Sequence, residues 1–141
     1  AAPDISIAGC RLLLVEDNAL NAEIAQILLT DEGATVTVVT DGKQAVEIVQ
    51  NNPPDTFDAV LMDVMMPVMN GIDATKAIRS LNRPDAKTLP IIAMTAHAMN
   101  GDREKSLSVG MQDYIAKPIE PSVLLSTLAR WIHRDGRSPR R

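Results

Sequence analysis

Four short apolar runs constrain this chain more than anything else in it: RLLLV at 11–15, DAVLM at 58–62, PIIAM at 90–94 and DYIA at 113–116. Each is too short for a helix, and none alternates between apolar and polar positions. A strand that is apolar on both faces needs cover on both, which a parallel sheet between two layers of helices supplies. A fifth run, ATVTVV at 34–39, does alternate and is rich in β-branched residues, which places it nearer a sheet edge.

Helical spacing fills the intervals. Leu20, Ile24, Ile27 and Leu28 form a stripe at i, i+4, i+7, i+8, and Gly33 offers the stop. Ala45, Ile48 and Val49 mark a second helix that ends before Pro53-Pro54. Ile72, Ala74, Ala77, Ile78 and Leu81 mark a third, ended by Asn82-Arg83-Pro84. Residues 98–109 form a weakly apolar fourth closed by Gly110, and Val123, Leu124, Leu128, Trp131 and Ile132 mark a fifth. Strand and helix thus alternate five times, the pattern of an open α/β sheet with right-handed crossovers. Ligands of such sheets collect outside the carboxyl ends of the strands.

At 141 residues and 45% hydrophobic content the chain fills one ordinary core and one domain. Its net charge of −4 argues against direct nucleic-acid binding, which needs clustered cations to replace counterions. Arg130, Arg134, Arg137, Arg140 and Arg141 crowd the last twelve positions; they read as a solvated helix end and basic tail (134–141). Cys10 is the only cysteine, so no internal disulfide or thiolate cage forms, and a reducing, cytoplasmic setting fits. No apolar run reaches the roughly 20 residues that span a bilayer, so no membrane insertion of this segment is expected. The chain begins without methionine, and it reads as a segment of a longer protein: linker at 1–7, folded domain at 8–133.

Glu16 and Asp17 follow the first run, Asp63 the third, Thr95 the fourth and Lys117 the fifth. Parallel strands bring all five side chains to one rim. Three acids there repel one another unless a cation neutralises them, and an all-oxygen set without His or Cys favours Mg²⁺ or Mn²⁺ over zinc. Such a site leaves room for a phosphoryl group, with Thr95 donating to its oxygens and Lys117 offsetting its charge. No Gly-rich phosphate loop is present, so the nucleophile is sought among the acids; a carboxylate can take a phosphoryl group.

At these residues the chain resembles the receiver domain of two-component response regulators, over nearly its whole length from Arg11 to Ile132. LLVEDNALNAEIAQILL is similar to the family's opening, DAVLMDVMMPVMNG to its phosphorylation segment, PIIAMTAHAM to its switch region and YIAKPI to its lysine-proline segment. The variants VEDNALN and MTAHAM look most like receivers attached to hybrid sensor histidine kinases. The resemblance implies a flavodoxin-like (βα)5 fold with strand order 2-1-3-4-5 and helices on both faces. It implies that Asp63 accepts a phosphoryl group from a histidine kinase or histidine phosphotransfer domain. Glu16, Asp17 and Asp63 would hold Mg²⁺ together with the backbone carbonyl of Met65. Thr95 would be the switch hydroxyl, Tyr114 the switch aromatic and Lys117 the phosphate-bridging cation, with a cis bond to Pro118. Residues 98–116 would report the change, and a phosphorylation-dependent dimer is compatible with it. Glu16 is a departure, since many members carry the shorter Asp there.

Blander roles stand beside these. Glu16 or Asp17 could cap the helix beginning near Ala19, Thr95 could cap the next one, and Tyr114 could be core. His97 reads as a loop residue rather than a second phosphocarrier, and Asn70-Gly71 as a turn signal alone. Two competing classes use related scaffolds. A haloacid-dehalogenase-like phosphatase usually places a second Asp where this chain has Met65, and a mononucleotide binder needs a phosphate loop after the first strand. A free-standing single-domain response regulator, or a receiver cut from a regulator with a separate output domain, is the alternative to a hybrid-kinase segment.

Overall fold

The five runs become the five strands of one sheet: β1 (Arg11–Val15), β2 (Thr35–Val39), β3 (Ala59–Asp63), β4 (Ile91–Thr95) and β5 (Asp113–Ala116). The structure, a computed structural model of the chain, describes residues 7–54, 56–64, 69–95 and 103–133. Every pairing is parallel and the strand order is β2-β1-β3-β4-β5, as the family resemblance implies. The half-buried β2 lies at one edge, as its alternation suggests.

Between the strands run α1 (Ala19–Asp31), α2 (Gly42–Gln50), α3 (Gly71–Arg79), α4 (Arg103–Ser108) and α5 (Pro121–His133). Successive strand residues point to opposite faces, which is why the runs carry no alternation. Leu12, Leu14, Leu61, Ile92 and Met94 pack on one face with α1 and α5. Leu13, Val15, Val60, Met62 and Ala93 pack on the other with α2 and α3.

α1 corrects the sequence reading. Leu20, Ile24 and Ile27 of the apolar stripe are 64%, 48% and 51% exposed, while Ala22, Ala25 and Leu29 face the sheet. The apolar side of the helix is broad, leaving a polar strip at Glu23, Gln26 and Thr30, so its largest side chains do not mark the inward face. Small alanines let its backbone approach the sheet, and the bulkier isoleucines are left outside.

Smaller adjustments follow the same packing. β3 and β4 end one residue later than the apolar runs, so Asp63 and Thr95 occupy the last ladder positions, opposite Met94 and Ala116. α3 stops at Arg79, leaving Leu81 beyond its end, although Leu81 still packs on the core. α4 is described from Arg103; residues 98–102 of the expected helix lie outside the described residues. In α5 Val123 is exposed and Leu124, Leu128 and Ile132 are buried.

Three helices start with matching caps. The side chains of Asn18, Asp41 and Asn70 accept from the backbone N–H of Asn21, Gln44 and Asp73, at 3.0, 2.8 and 2.9 Å. Each cap is worth about 1 kcal/mol and fixes where a helix leaves the rim. Asn18, rather than Glu16 or Asp17, caps α1. Asn70-Gly71 does more than turn the chain: Asn70 caps α3, and a Cβ on Gly71 would run into the backbone carbonyl of Asp63.

Candidate active site at the carboxyl rim of the sheet

The ends of β1, β3, β4 and β5 meet where sequence placed them. Backbone hydrogen bonds fix the rim: Glu16 N–H donates to the Val39 carbonyl at 3.1 Å, Val64 N–H to Met94 at 3.0 Å, and Lys117 N–H to Thr95 at 2.9 Å. Glu16 and Asp63 are each 3% exposed and Thr95 is buried, whereas Asp17 stands in solvent.

Lys117 ties the acids together. Its Nζ lies 3.0 Å from Glu16 Oε1 and 3.2 Å from Asp63 Oδ2. The other Glu16 oxygen accepts the Asn18 N–H at 3.2 Å, so the longer glutamate spans from the start of α1 to the lysine. Glu16, Asp17 and Asp63 each offer a carboxylate oxygen within 4.8 Å of the others. That donor set is hard oxygen throughout, and it carries more negative charge than one lysine neutralises. It therefore suits a hard divalent cation of the magnesium kind.

Burial pushes the Asp63 carboxyl up to about 7 from 3.8; the hydrogen bond and charge of Glu16 push the same way and Lys117 opposes them. Burial alone would pull the Lys117 ammonium down, but hydrogen bonds and charges from Glu16 and Asp63 outweigh it and hold it above 10.5. The folded chain thus binds the Asp63 proton more tightly than the unfolded chain does. The stability this contributes is complete below the unfolded value of 3.8 and is lost as pH rises through about 7. Asp63→Asn is therefore expected to stabilise the metal-free domain at about pH 8 by about 2 kcal/mol, on the order of 5–10 °C in Tm. The gap should narrow as pH falls below about 7 and close only near 3.8, and added Mg²⁺ should raise the melting temperature of the wild type only. Thermal melts across pH check this; a gap that ignores pH would contradict it.

Lys117-Pro118 is a cis peptide bond, as expected. Tyr114 is half-buried on β5 and packs against the α2/α3 side of the core. Met65 and His97 lie outside the described residues. Sequence reasoning missed two features. Gly71 abuts Asp63 from the helix that follows it. Between α1 and the segment after β5 lies a cavity of about 440 Å³, lined by Leu14, Asn21, Ile24 and Ile119 with Glu16 and Lys117 on its wall. Ile24 of the exposed α1 stripe lines it, and the broad apolar side of that helix was the available signal.

Comparison with known proteins gives one consistent picture. The family model described as the response regulator receiver domain matches residues 12–129. The sensor protein GacS of Pseudomonas syringae pv. syringae is 42% identical over 138 residues, covering 97% of this chain and 15% of GacS. Hybrid signal transduction histidine kinase I of Dictyostelium discoideum is 42% identical over 120 residues, 84% of this chain and 7% of that protein. The chain thus spans a small part of these relatives. Among solved structures, the receiver domain of the sensor histidine kinase PA1611 from Pseudomonas aeruginosa PAO1 superposes with a TM-score of 0.79 at 44% identity. The match covers 89% of this chain and 98% of that one, and that crystal structure holds a magnesium ion coordinated in its active site cleft.

Proposed function

This chain belongs to the response regulator receiver domain family, and on that premise we propose that it takes a phosphoryl group from a phosphohistidine onto Asp63 in a two-component phosphorelay. What supports it above all is the joining of Asp63, Glu16 and Lys117 at one rim, with Asp17 beside them.

An Asp63 oxygen attacks phosphorus; the new O–P bond forms as the P–N bond to the donor imidazole breaks. The departing imidazole keeps the bonding pair and takes its proton from solvent. Lys117 already touches Asp63 Oδ2 and is placed to balance charge on the transferring oxygens, and Thr95 donates a hydrogen bond to one of them. Glu16, Asp17 and Asp63 would hold Mg²⁺, which would offset negative charge on the phosphoryl oxygens. Slow attack by water reverses the modification, releasing phosphate and restoring the carboxylate. The phosphoryl group adds about two charges, draws on Thr95 and Tyr114, and changes the surface around 98–116.

Asp63 is nearly buried, while its partner Lys117 and the neighbouring Glu16 line the cavity, so the donor imidazole is expected to approach beside that cavity. Ile24 and Ala25 line the cavity on one side and Pro118 and Ile119 on the other, and Leu20 and Ile27 are exposed on the same helix as Ile24. This surface suits a helix of a histidine kinase or histidine phosphotransfer domain. The similarity to hybrid sensor kinases favours a parent of that kind over a free-standing regulator, with residues 8–133 as its receiver unit facing the cytoplasm.

Intact-mass measurement after incubation with Mg²⁺ and a small phosphodonor tests this. The wild type should gain one phosphoryl group, and Asp63→Asn or chelation should abolish the gain. A gain that persists in Asp63→Asn would overturn the assignment.

A further inference from the structure

Among the described residues away from the rim, the most heavily engaged charged side chain is Arg79, the last residue of α3. Its Nε and Nη2 donate to the Gly110 carbonyl at 3.1 and 2.6 Å, its Nη1 to the Ala86 carbonyl at 3.1 Å, and its Nη2 also to Gln112 Oε1 at 2.9 Å. The same Gln112 oxygen accepts the Ile91 N–H at 2.7 Å, and Gln112 N–H donates to the Ile91 carbonyl at 2.9 Å. One guanidinium therefore joins the end of α3, the turn before β4, the first residue of β4 and the turn after α4.

Among the described residues no ion pair links Arg79 to a carboxylate. Burial pulls its guanidinium down to about 10 with no charge opposing that pull. A half-buried cation satisfied by neutral oxygens alone is costly, and its return is geometric: five N–H donors in a rigid fork fix several carbonyls at once. Gly110 is shaped to this fork. Its φ of +104° favours glycine, and a Cβ there would sit 3.1 Å from Arg79 Nε.

β4 has one end in this network, at Ile91, and the other at the candidate phosphoryl site, at Thr95; four residues separate them by about 13 Å. α4 likewise ends at Ser108, two residues before the clamped Gly110. We propose that Arg79 is the fixed pivot of α4: it holds residues 109–112 in place, so that a displacement begun at the phosphoryl end swings α4 about that turn instead of carrying the helix away whole. The pivot rests on the assignment of Asp63 as phosphoacceptor.

Amide exchange by mass spectrometry tests it on wild type, Arg79→Met and Arg79→Lys, each with and without phosphorylation and with intact mass recorded first. In the wild type, phosphorylation should change exchange at least about 5-fold in 103–108 and less than about 2-fold in 109–112. In Arg79→Met the response should spread into 109–112 while phosphoryl uptake stays within about 2-fold of wild type, and Arg79→Lys should fall between. A clip that merely stabilises would leave the phosphorylation-dependent pattern unmoved. The pivot is overturned if 109–112 respond like 103–108 in the wild type, or if Arg79→Met leaves 109–112 insensitive. Should no mass gain occur, the phosphoacceptor assignment fails by itself. The unphosphorylated pair then still decides the clamp: Arg79→Met, or Arg79→Lys if the former does not fold, must raise exchange at 109–112 by about 10-fold without changing β1.

Discussion

Lys117→Met is expected to slow phosphoryl uptake by Asp63 from a small donor about 100-fold or more at saturating Mg²⁺, the range seen when a positioned charge-stabilising donor is removed. The lysine lies 3.0 Å from Glu16 and 3.2 Å from Asp63 before any phosphoryl group arrives, so charge balance for the transfer is built in beforehand. Methionine keeps the apolar length of the side chain and deletes the ammonium. It leaves two nearly buried carboxylates facing each other, which drives the Asp63 carboxyl still higher and reduces the nucleophilic form at neutral pH. A time course of intact mass reads the rate directly. A loss smaller than about 3-fold would mean that Lys117 serves only to hold the acids together.

The second large effect is one of selectivity between donors. Ile24→Glu places a charge in the middle of the exposed stripe of α1, on the wall of the cavity that Glu16 and Lys117 also line. Transfer from a protein donor should fall by about 30-fold, the equivalent of losing one interface hot spot of 2 kcal/mol. Uptake from a small phosphodonor should stay within about 2-fold, because Ile24 touches none of the reacting groups. Parallel assays with the two donors check this, and equal losses in both would place the effect on folding or on the site instead of on docking.

The strands and most of the rim were legible because burial on both faces demands apolar runs, and because the residue ending each run is where a parallel sheet displays its chemistry. Asp63, Glu16, Thr95 and Lys117 could be placed together from that rule alone. The inward face of α1 could not, since alanine rather than the larger Leu20, Ile24 and Ile27 contacts the sheet. A helix whose apolar side is this broad leaves periodicity several faces to choose from. The contacts of Arg79 were hidden for another reason: its acceptors are backbone carbonyls at Ala86 and Gly110, and a carbonyl leaves no mark on side-chain pattern. Gly71 read as half of a turn signal because the carbonyl it abuts belongs to a strand eight residues earlier.

Reductive trapping of the modified residue tests the central claim most directly. An acyl phosphate at Asp63 is cleaved by borohydride at its carbonyl, converting the side chain to that of homoserine, and peptide mass spectrometry locates the change. After incubation with Mg²⁺ and a small phosphodonor, homoserine should appear at position 63 and nowhere else. A phosphoryl group trapped at another acid of the rim, or found on His97 with position 63 unchanged, would contradict the account.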